Sequence, residues 1–487
     1  MSKITKDPIH GTIELNNILF MIIDTPQFQR LRNIKQLGGC YFLYPGASHN
    51  RFEHSIGVCY LAGKLARHLQ NDINRMKDDK RTQEIASQIN LSDDDVLCIE
   101  IAGLCHDLGH GPYSHLFDML FRKAMQKKSP DRNEWKHEDV SKEMFRHMLN
   151  ENESLNTELF KKFGKEKEQR IEFILHLITG EIPKEEIAER KFMYEIVANH
   201  RNEIDVDKMD YFARDGQGLG IKYTFDHERY FSNCRVMYIG PNSKETTIAV
   251  RDKEMFNLYE LFHTRFGLFR RAYYHKVTKA VELMATDALV AANDVIDIPY
   301  LSSDGNVESV KMDQAWKHMP AYQMLTDSIF DIILMKGVED AKLQKATELI
   351  NRIYSRKLYE LVMQTEPNPG VSEEDVEKFI LAKGKGDITV EDFSVQKVVF
   401  NYGMKEKNPI AEVYFFKKEE NYCYKSNYPA EISLFLPSET FQEEFIRVYS
   451  KCFAKTEHIK NIINEFEGQN IPAKRMKTSH DATTSKN

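Results

Sequence analysis

The sequence predicts a mainly α-helical protein: a large helical core with a few short β-hairpins, followed by a smaller mixed α/β lobe towards the C-terminal end. Three observations predict it. Apolar residues recur at helical spacing through most of the chain. Strand-like runs are few and short. A breaker cluster, Thr365-Glu-Pro-Asn-Pro-Gly370, divides a helical region from a more mixed one. The expected organisation is a main unit over residues 1–365, a lobe over 366–468 and a polar tail over 469–487.

The elements follow in order. Residues 1–14 mix Lys, Asp, Pro and His without an apolar run, so they are not read as a secretory signal. Residues 50–69 form a helix on Phe52, Ile56, Tyr60, Leu61, Leu65 and Leu69. Ser92 and the acidic run 93–95 cap a helix reaching about Leu108, which Gly109 and Gly111-Pro112 stop. Helical patterning continues over 191–200, 253–281 and 322–334, and over a long charge-laced helix, 342–364, with Ala346, Leu349, Ile350, Ile353, Leu358 and Leu361 as its stripe. The clearest strands are 235–239 with 246–251, and 395–401 with 413–416. Past about residue 468 little remains to bury, and a disordered tail is expected.

Composition narrows the function. The 487 residues carry 67 Lys+Arg against 74 Asp+Glu, a net charge of -7, which argues against coating nucleic acid through bulk electrostatics. No stretch approaches the ~20 apolar residues of a membrane span. The seven cysteines are scattered and never spaced as Cys-x-x-Cys, so neither a disulfide framework nor a zinc ribbon is expected, and the chain reads as intracellular. Histidine is the anomaly: His106, His110, His115 and His137 crowd one stretch.

The chemistry concentrates in Leu104-Cys-His-Asp-Leu-Gly-His-Gly-Pro-Tyr-Ser-His115. If this were helical, His106 and His110 would share a face, with Asp107 about 100° away. Imidazole and carboxylate groups beside Ile99, Ile101, Ala102, Leu104 and Leu108 are costly to bury unless paired or metal-bound. Arg51-Phe-Glu-His54 upstream and Asp205-Val-Asp207-Lys-Met-Asp210 downstream have the same character. Together His54, His106, Asp107 and Asp207 offer a nitrogen and oxygen set suited to Fe, Mn, Zn or Mg. The plainer alternative is a set of capping and core polar residues.

His…His-Asp…Asp in this order resembles the signature of the HD-domain metal-dependent phosphohydrolases, which implies an HD-type helical catalytic core. The surrounding residues are more specific. Asp7-Pro-Ile-His-Gly11, residues 24–32, Lys35-Gln-Leu-Gly-Gly39, residues 45–55, residues 205–215, Phe262-His-Thr-Arg265 and residues 270–276 closely resemble the animal SAM-and-HD-domain deoxynucleoside triphosphate triphosphohydrolases, from Lys3 to about residue 465. The family's sterile-alpha-motif domain is expected to have no counterpart here.

The resemblance implies hydrolysis of a dNTP to the deoxynucleoside and inorganic triphosphate, with water attacking the α-phosphorus. It assigns the metal to His54, His106, Asp107 and Asp207, with one Fe, Zn or Mn ion plus Mg2+ as cofactors. His110, His115, Asp118 and His137 become the acid/base array, in which His115 or His110 protonates or steers the departing 5′ oxygen. Arg51, Lys208, Tyr211 and Arg265 match the family's phosphate contacts. Gln36 and Asp215 match its 3′-hydroxyl contacts, while Leu37 and Tyr273 resemble the wall that excludes a 2′-hydroxyl. Phe269 and Tyr274 depart from the polar residues that the family places near the base.

The resemblance further implies activation at sites between subunits, first by GTP or dGTP and then by a dNTP, with assembly of a homotetramer from monomers or dimers. Lys3, Ile4, Asp24, Gln29, Arg32 and Arg356 match the guanine-nucleotide site. Lys6, Asp226, Arg229, Arg251, Lys253, Asn257, His275, Lys276 and Lys418 match the dNTP site, Lys6 standing where the family has asparagine. A solvated charged face is the plain reading of these cations. The basic cluster Pro472–Lys477 suggests nuclear entry, so nucleus and cytoplasm are both expected. Three other functions compete: a different HD phosphohydrolase activity, a single-stranded nucleic-acid binder or nuclease, and a non-catalytic nucleotide-binding paralogue.

Overall fold

A computed structural model describes residues 2–80, 82–128, 135–365, 371–418, 420–425 and 441–470. The proposed boundary at 366 and the basic cluster 472–477 lie outside or at the edge of these described residues.

The architecture is mainly helical. Helix Arg51–Asp78 packs its inner face against helix Asp93–Cys105, and helix Val206–Leu219 lies across it. Their apolar faces share one large core, with Val58, Leu61, Ala62 and Leu65 meeting Cys98, Ile101, Ala102 and Leu104. Gly103 permits the close crossing, because its Cβ would already lie 3.2 Å from both Ala62 Cβ and the Val58 carbonyl oxygen. Helices His137–Glu151 and Lys167–Thr179 cover one side, and Lys276–Ala292 with Gln344–Tyr354 another.

The strands form small sheets. Ser2–Asp7 and Gly11–Asn16 make an N-terminal antiparallel hairpin. The 235–239/246–251 expectation is met by Cys234–Tyr238 paired antiparallel with Thr246–Arg251. A further hairpin joins Asp297–Leu301 to Val307–Lys311. Strands Glu360–Thr365, Gln442–Ser450 and Phe393–Asn401 build a sheet in the order first-second-third, which helices Glu373–Lys383 and Thr456–Asn470 cover. Met363, Val376, Ile380, Val448 and Ile463 form the separate core of this lobe.

Several expected elements differ. The helix expected over 342–364 ends at Tyr354; Arg356 turns to φ 61°, and Glu360–Thr365 becomes a strand on Gln442–Ser450. Sheet pairing there overrides a helical pattern that Leu358 and Leu361 continued only by coincidence. Strand 395–401 pairs with Gln442–Ser450 and not with 413–416, whose core Tyr414–Phe416 runs parallel to Thr246–Arg251. The 253–281 helix breaks into Met255–Leu268, a π-turn Phe269–Tyr273 and Lys276–Ala292, the last capped by His275. The 322–334 helix splits around Leu325–Ser328, where Asp327 turns inward to accept from the Lys35 and Tyr113 N–H groups at 2.8 and 2.5 Å. The 191–200 helix is a 3-10 turn, Ala188–Glu195, drawn to the sheet where Glu195 accepts from the Ile248 N–H at 2.9 Å.

Candidate metal centre and active site

Three helices bring the site together. Helix Arg51–Asp78 starts where Glu53 accepts from the Asn50 N–H at 2.9 Å, and its first turns place Arg51 and His54 inward. Helix Val206–Leu219 is capped by Asp205, which accepts from the Lys208 N–H at 3.1 Å and sets Asp207 and Asp210 one turn apart. The third, Asp93–Cys105, stops before the chemistry begins. His106 and His110 therefore do not share a helical face; residues 106–110 turn instead, with the Leu108 N–H bonding to Cys105 O and that of His110 to Asp107 O.

This turn is pinned from several sides. Ser141 Oγ donates to His106 O at 2.6 Å and accepts from the Gly109 N–H at 2.8 Å. Tyr322 OH donates to Gly109 O at 2.8 Å, and Arg30 Nη1 to Leu108 O at 3.2 Å. Tyr113 and Ser114 both adopt positive φ, 57° and 56°. Such conformations cost about 1–3 kcal/mol each in non-glycine residues and persist where surroundings enforce them. Here Asp327 holds the Tyr113 N–H, and Ser114 Oγ donates to Lys35 O at 2.7 Å while accepting from Arg51 Nε at 3.0 Å.

At the centre, His54 Nε2 and His106 Nε2 lie 3.0 and 3.5 Å from one oxygen of Asp207. Asp107 approaches both nitrogens at 3.4 Å, one carboxylate oxygen to each. The outer nitrogens are occupied: His54 Nδ1 donates to Asp210 at 2.8 Å and His106 Nδ1 to Gly103 O at 2.8 Å. Because those acceptors cannot donate, both rings direct Nε2 inward, and neither buried Nε2 makes a hydrogen bond. Burial disfavours a charged His54, yet Asp207 and Asp210 outweigh it and push its pKa up to about 10. The residues fit a cation: inward imidazole nitrogens and carboxylates converge on a place where positive charge is favoured.

A second cluster adjoins it. His110 Nδ1 contacts Asp118 Oδ2, and His110 Nε2 faces Asp107 at 3.3 Å. Asp118 rides on a π-turn, Leu116–Phe121, and also accepts from the Gly111 N–H at 3.0 Å. His137 stacks on His110 with ring centres 4.0 Å apart, and His115 meets both rings edge-on at 5.1 and 5.6 Å. Burial and Arg51 lower the His110 pKa, but Asp107 and Asp118 more than restore it. Burial and the neighbouring His110 push His137 down to about 3. His115, crowded by protein yet open to solvent at its edge, is also pushed down by its surroundings, His110, Arg51 and His137. The result is one imidazole whose protonated form is favoured beside two whose neutral form is favoured, an arrangement suited to acid/base work. These four also have metal-like spacing. The His54/His106/Asp207 group is the better cation site, because two buried Nε2 atoms there face the carboxylates without a hydrogen bond.

The other expected residues separate into groups. Arg51 is buried and engaged: Nη1 meets Asp107 at 2.7 Å and Nη2 reaches Gln36 O at 3.4 Å. Lys208 Nζ pairs with Asp205 and Glu203 at 2.9 and 3.1 Å. Arg265 stacks over Phe269 at 4.3 Å and donates to Asn401 O at 2.8 Å. Burial pushes the pKa of the Tyr211 hydroxyl up, against the nearby Arg265 and Lys208 cations that lower it. The Asp215 carboxylate accepts from Tyr273 OH at 2.5 Å and from His49 Nε2 at 2.8 Å. Gln36 is buried with Oε1 unpartnered, and its N–H bonds to His49 O at 3.1 Å. Leu37 packs against the core at the start of the turn Gly38–Phe42.

Sequence reasoning did not single out His49, Asp210, Ser141 or His10 as site residues. The available signal was the i, i+3 pair Asp207/Asp210, which puts both carboxylates on one helical face.

The expected activator residues lie on the surface. Lys3 Nζ is 3.6 Å from Asp24, and Ile4 is exposed beside it on the hairpin. Arg32 Nε donates to Gln29 at 2.7 Å and stacks over Phe52 at 3.5 Å, whereas Arg356 Nη1 donates to Phe42 O at 2.8 Å. Asp226 and Asn257 bond to each other through two 3.1 Å contacts, and Arg229 pairs with Glu254 at 2.7 Å. Arg251 lies opposite Phe416 in the sheet, near exposed Lys253 and Lys418. Lys6 Nζ donates to Thr12 at 3.3 Å; His275 caps its helix, and Lys276 O accepts from Tyr449 OH at 3.0 Å.

Helical core and site together define a protein of the HD class, and the HD-domain family model matches residues 51–215. The match extends well beyond that core. The chain is 41% identical to the bovine deoxynucleoside triphosphate triphosphohydrolase SAMHD1, covering 98% of this chain and 81% of that protein. It is 43% identical to the human SAMHD1, over 92% of this chain and 70% of the relative. A Dictyostelium discoideum SAMHD1 homolog is 34% identical, over 94% and 79%. The chain belongs to the SAMHD1 family of deoxynucleoside triphosphate triphosphohydrolases.

Proposed function

We propose that the chain is a metal-dependent dNTP triphosphohydrolase, converting a dNTP to the deoxynucleoside and inorganic triphosphate. The observation that carries this reading is the pair of inward, unbonded imidazole nitrogens facing Asp207, with a separate imidazole array beside them. A cation held by His54, His106, Asp107 and Asp207, with Fe, Zn or Mn as candidates, would supply Lewis-acid charge next to the α-phosphate. Mg2+ would accompany the nucleotide phosphates.

The protein's own groups then divide the remaining work. Arg51 locks the Asp107 carboxylate and adds a buried positive charge beside it that favours phosphate. Lys208, Tyr211 and Arg265 line up to receive the triphosphate, which competes with Glu203 and Asp205 for Lys208. Asp215, Gln36 and His49 offer acceptors and a donor to the 3′-hydroxyl, and Tyr273, anchored on Asp215, leaves a 2′-hydroxyl no partner. His110, held in place by Asp118, delivers the proton to the departing 5′ oxygen, and His115, kept neutral, steers that oxygen.

Activation by GTP or dGTP and then by dNTP, with homotetramer assembly, completes the proposal; the exposed Lys3, Asp24, Lys253 and Lys418, with half-buried Arg251, support it. Nuclear entry through residues 472–477 is part of the same proposal. The test is turnover of each dNTP with and without GTP, with particle mass followed in parallel. Turnover and mass should rise together; full specific activity as a dilute monomer without guanine nucleotide would contradict the activation scheme.

A further inference from the structure

The N-terminal hairpin reaches the metal-facing histidine through a continuous chain of buried polar contacts. Asp7 closes the hairpin turn by accepting from the Ile9 and His10 N–H groups, each at 2.8 Å. Its second carboxylate oxygen pairs with Arg214 Nη1 at 3.1 Å. His10 points inward, its side chain only 3% exposed, and places Nε2 2.7 Å from Asp210 Oδ1. Arg214 grips the same carboxylate from another side, through Nε and Nη2 at 2.8 and 2.9 Å. Asp210, wholly buried, then accepts from His54 Nδ1 at 2.8 Å.

Two features show that this contact is built rather than incidental. Gly57, one turn beyond His54, has no side chain where one would collide: a Cβ there would lie 1.9 Å from Asp210 Oδ1 and 2.5 Å from Arg214 Nη2. A buried charged cluster is also a poor source of stability compared with apolar packing. What this one achieves geometrically is the orientation of a single imidazole, with Nδ1 fixed and Nε2 turned into the site.

We propose that the Asp7–His10 turn is a positioning element of the metal centre. His10 and Arg214 hold the Asp210 carboxylate, and Asp210 holds His54. The inference rests on reading His54 as a metal ligand and deepens it, because it makes hairpin docking and cation binding mutually strengthening. The hairpin also carries Lys3 and Lys6 of the proposed activator sites, so nucleotide capture on its strands and order at the metal share one short element.

The test uses the full chain, with Mn2+ alone as the probe in equilibrium dialysis. Variants are His10→Ala, His10→Gln, whose longer amide can donate to Asp210, and His10→Asn, whose shorter one falls short. Loss of a partner bonded directly to a ligand typically weakens metal affinity by about 10–100-fold; for His10, one contact further out with Arg214 still on Asp210, the expected loss is at the lower end, about 10-fold. His10→Ala and His10→Asn should show that loss, with His10→Gln restoring most of it. Melting in chelator should leave His10→Asn and His10→Gln close together, so a difference in Mn2+ affinity between them reports positioning and not folding; this pair suffices if His10→Ala does not fold. Equal Mn2+ affinity in wild type, Asn and Gln variants overturns the inference. A wild type that binds no Mn2+ overturns the metal-site reading beneath it. Absent dNTP turnover with the affinity pattern intact sinks the proposed reaction alone and upholds the positioning role.

Discussion

Gly109→Ala tests how tightly the two halves of the active site are joined. Gly109 lies against the start of helix His137–Glu151, and a Cβ there would stand 2.1 Å from His137 O, 2.4 Å from Ser141 N and 2.8 Å from Val140 C. All three are backbone atoms, so no side chain can swing away. Reaching an ordinary contact of 3.4 Å from His137 O requires the two segments to part by about 1.3 Å. That separation opens the 4.0 Å stack of His110 on His137 and breaks the Gly109–Ser141 bond. Misplacement of reacting groups by about 1 Å can cost about 100-fold in rate. Steady-state release of triphosphate at saturating dNTP should therefore fall by roughly two orders of magnitude in kcat, while far-ultraviolet circular dichroism keeps its helical signal. A kcat within threefold of wild type would refute the rigid-contact reasoning.

Three further outcomes are expected. His106→Ala combined with Asp107→Ala should abolish turnover and deplete bound metal in elemental analysis of the purified protein; retained metal would point to the His110/His115/Asp118/His137 group instead. Tyr273→Ala should raise GTP hydrolysis relative to dGTP, by removing the ring tied to Asp215; an unchanged ratio would remove Tyr273 from sugar selection. Burial pushes the Asp327 pKa up to about 6, against the Lys35 and Tyr113 N–H groups that lower it. The folded protein thus holds this proton more tightly than the unfolded chain. The stabilisation is complete below the unfolded value near 4 and is lost as pH rises through 6, a change of a few kcal/mol, about 1.4 per pKa unit. Asp327→Asn should flatten that part of the denaturation profile between pH 4 and 7, and an unaltered profile would contradict it.

The residues of the candidate metal centre were legible because their types are costly to bury without a purpose, and because the flanking motifs resemble one family closely. Their geometry was less legible. Helical periodicity extends the 93–105 helix to about Leu108, whereas the chain turns at Cys105 under bonds from Ser141, Tyr322 and Arg30, none of which is local in sequence. His49, Asp210 and His10 matter through tertiary partners, and only the Asp207/Asp210 spacing offered a hint. The C-terminal lobe shows the same limit. Leu358 and Leu361 fit a helical stripe, yet Leu361 pairs with Tyr449 in the strand Glu360–Thr365, Leu358 lies in the segment before it, and Arg356 at positive φ, its Nη1 on Phe42 O, marks the switch.

The central claim is metal-dependent attack at the α-phosphorus in which the 5′ oxygen, and not pyrophosphate, is the leaving group. Metal-loaded wild-type protein should be incubated with dGTP in the presence of GTP, and the phosphate products separated by ion exchange. The account predicts deoxyguanosine and inorganic triphosphate in equal amounts, with none formed after chelation; pyrophosphate with dGMP would contradict it.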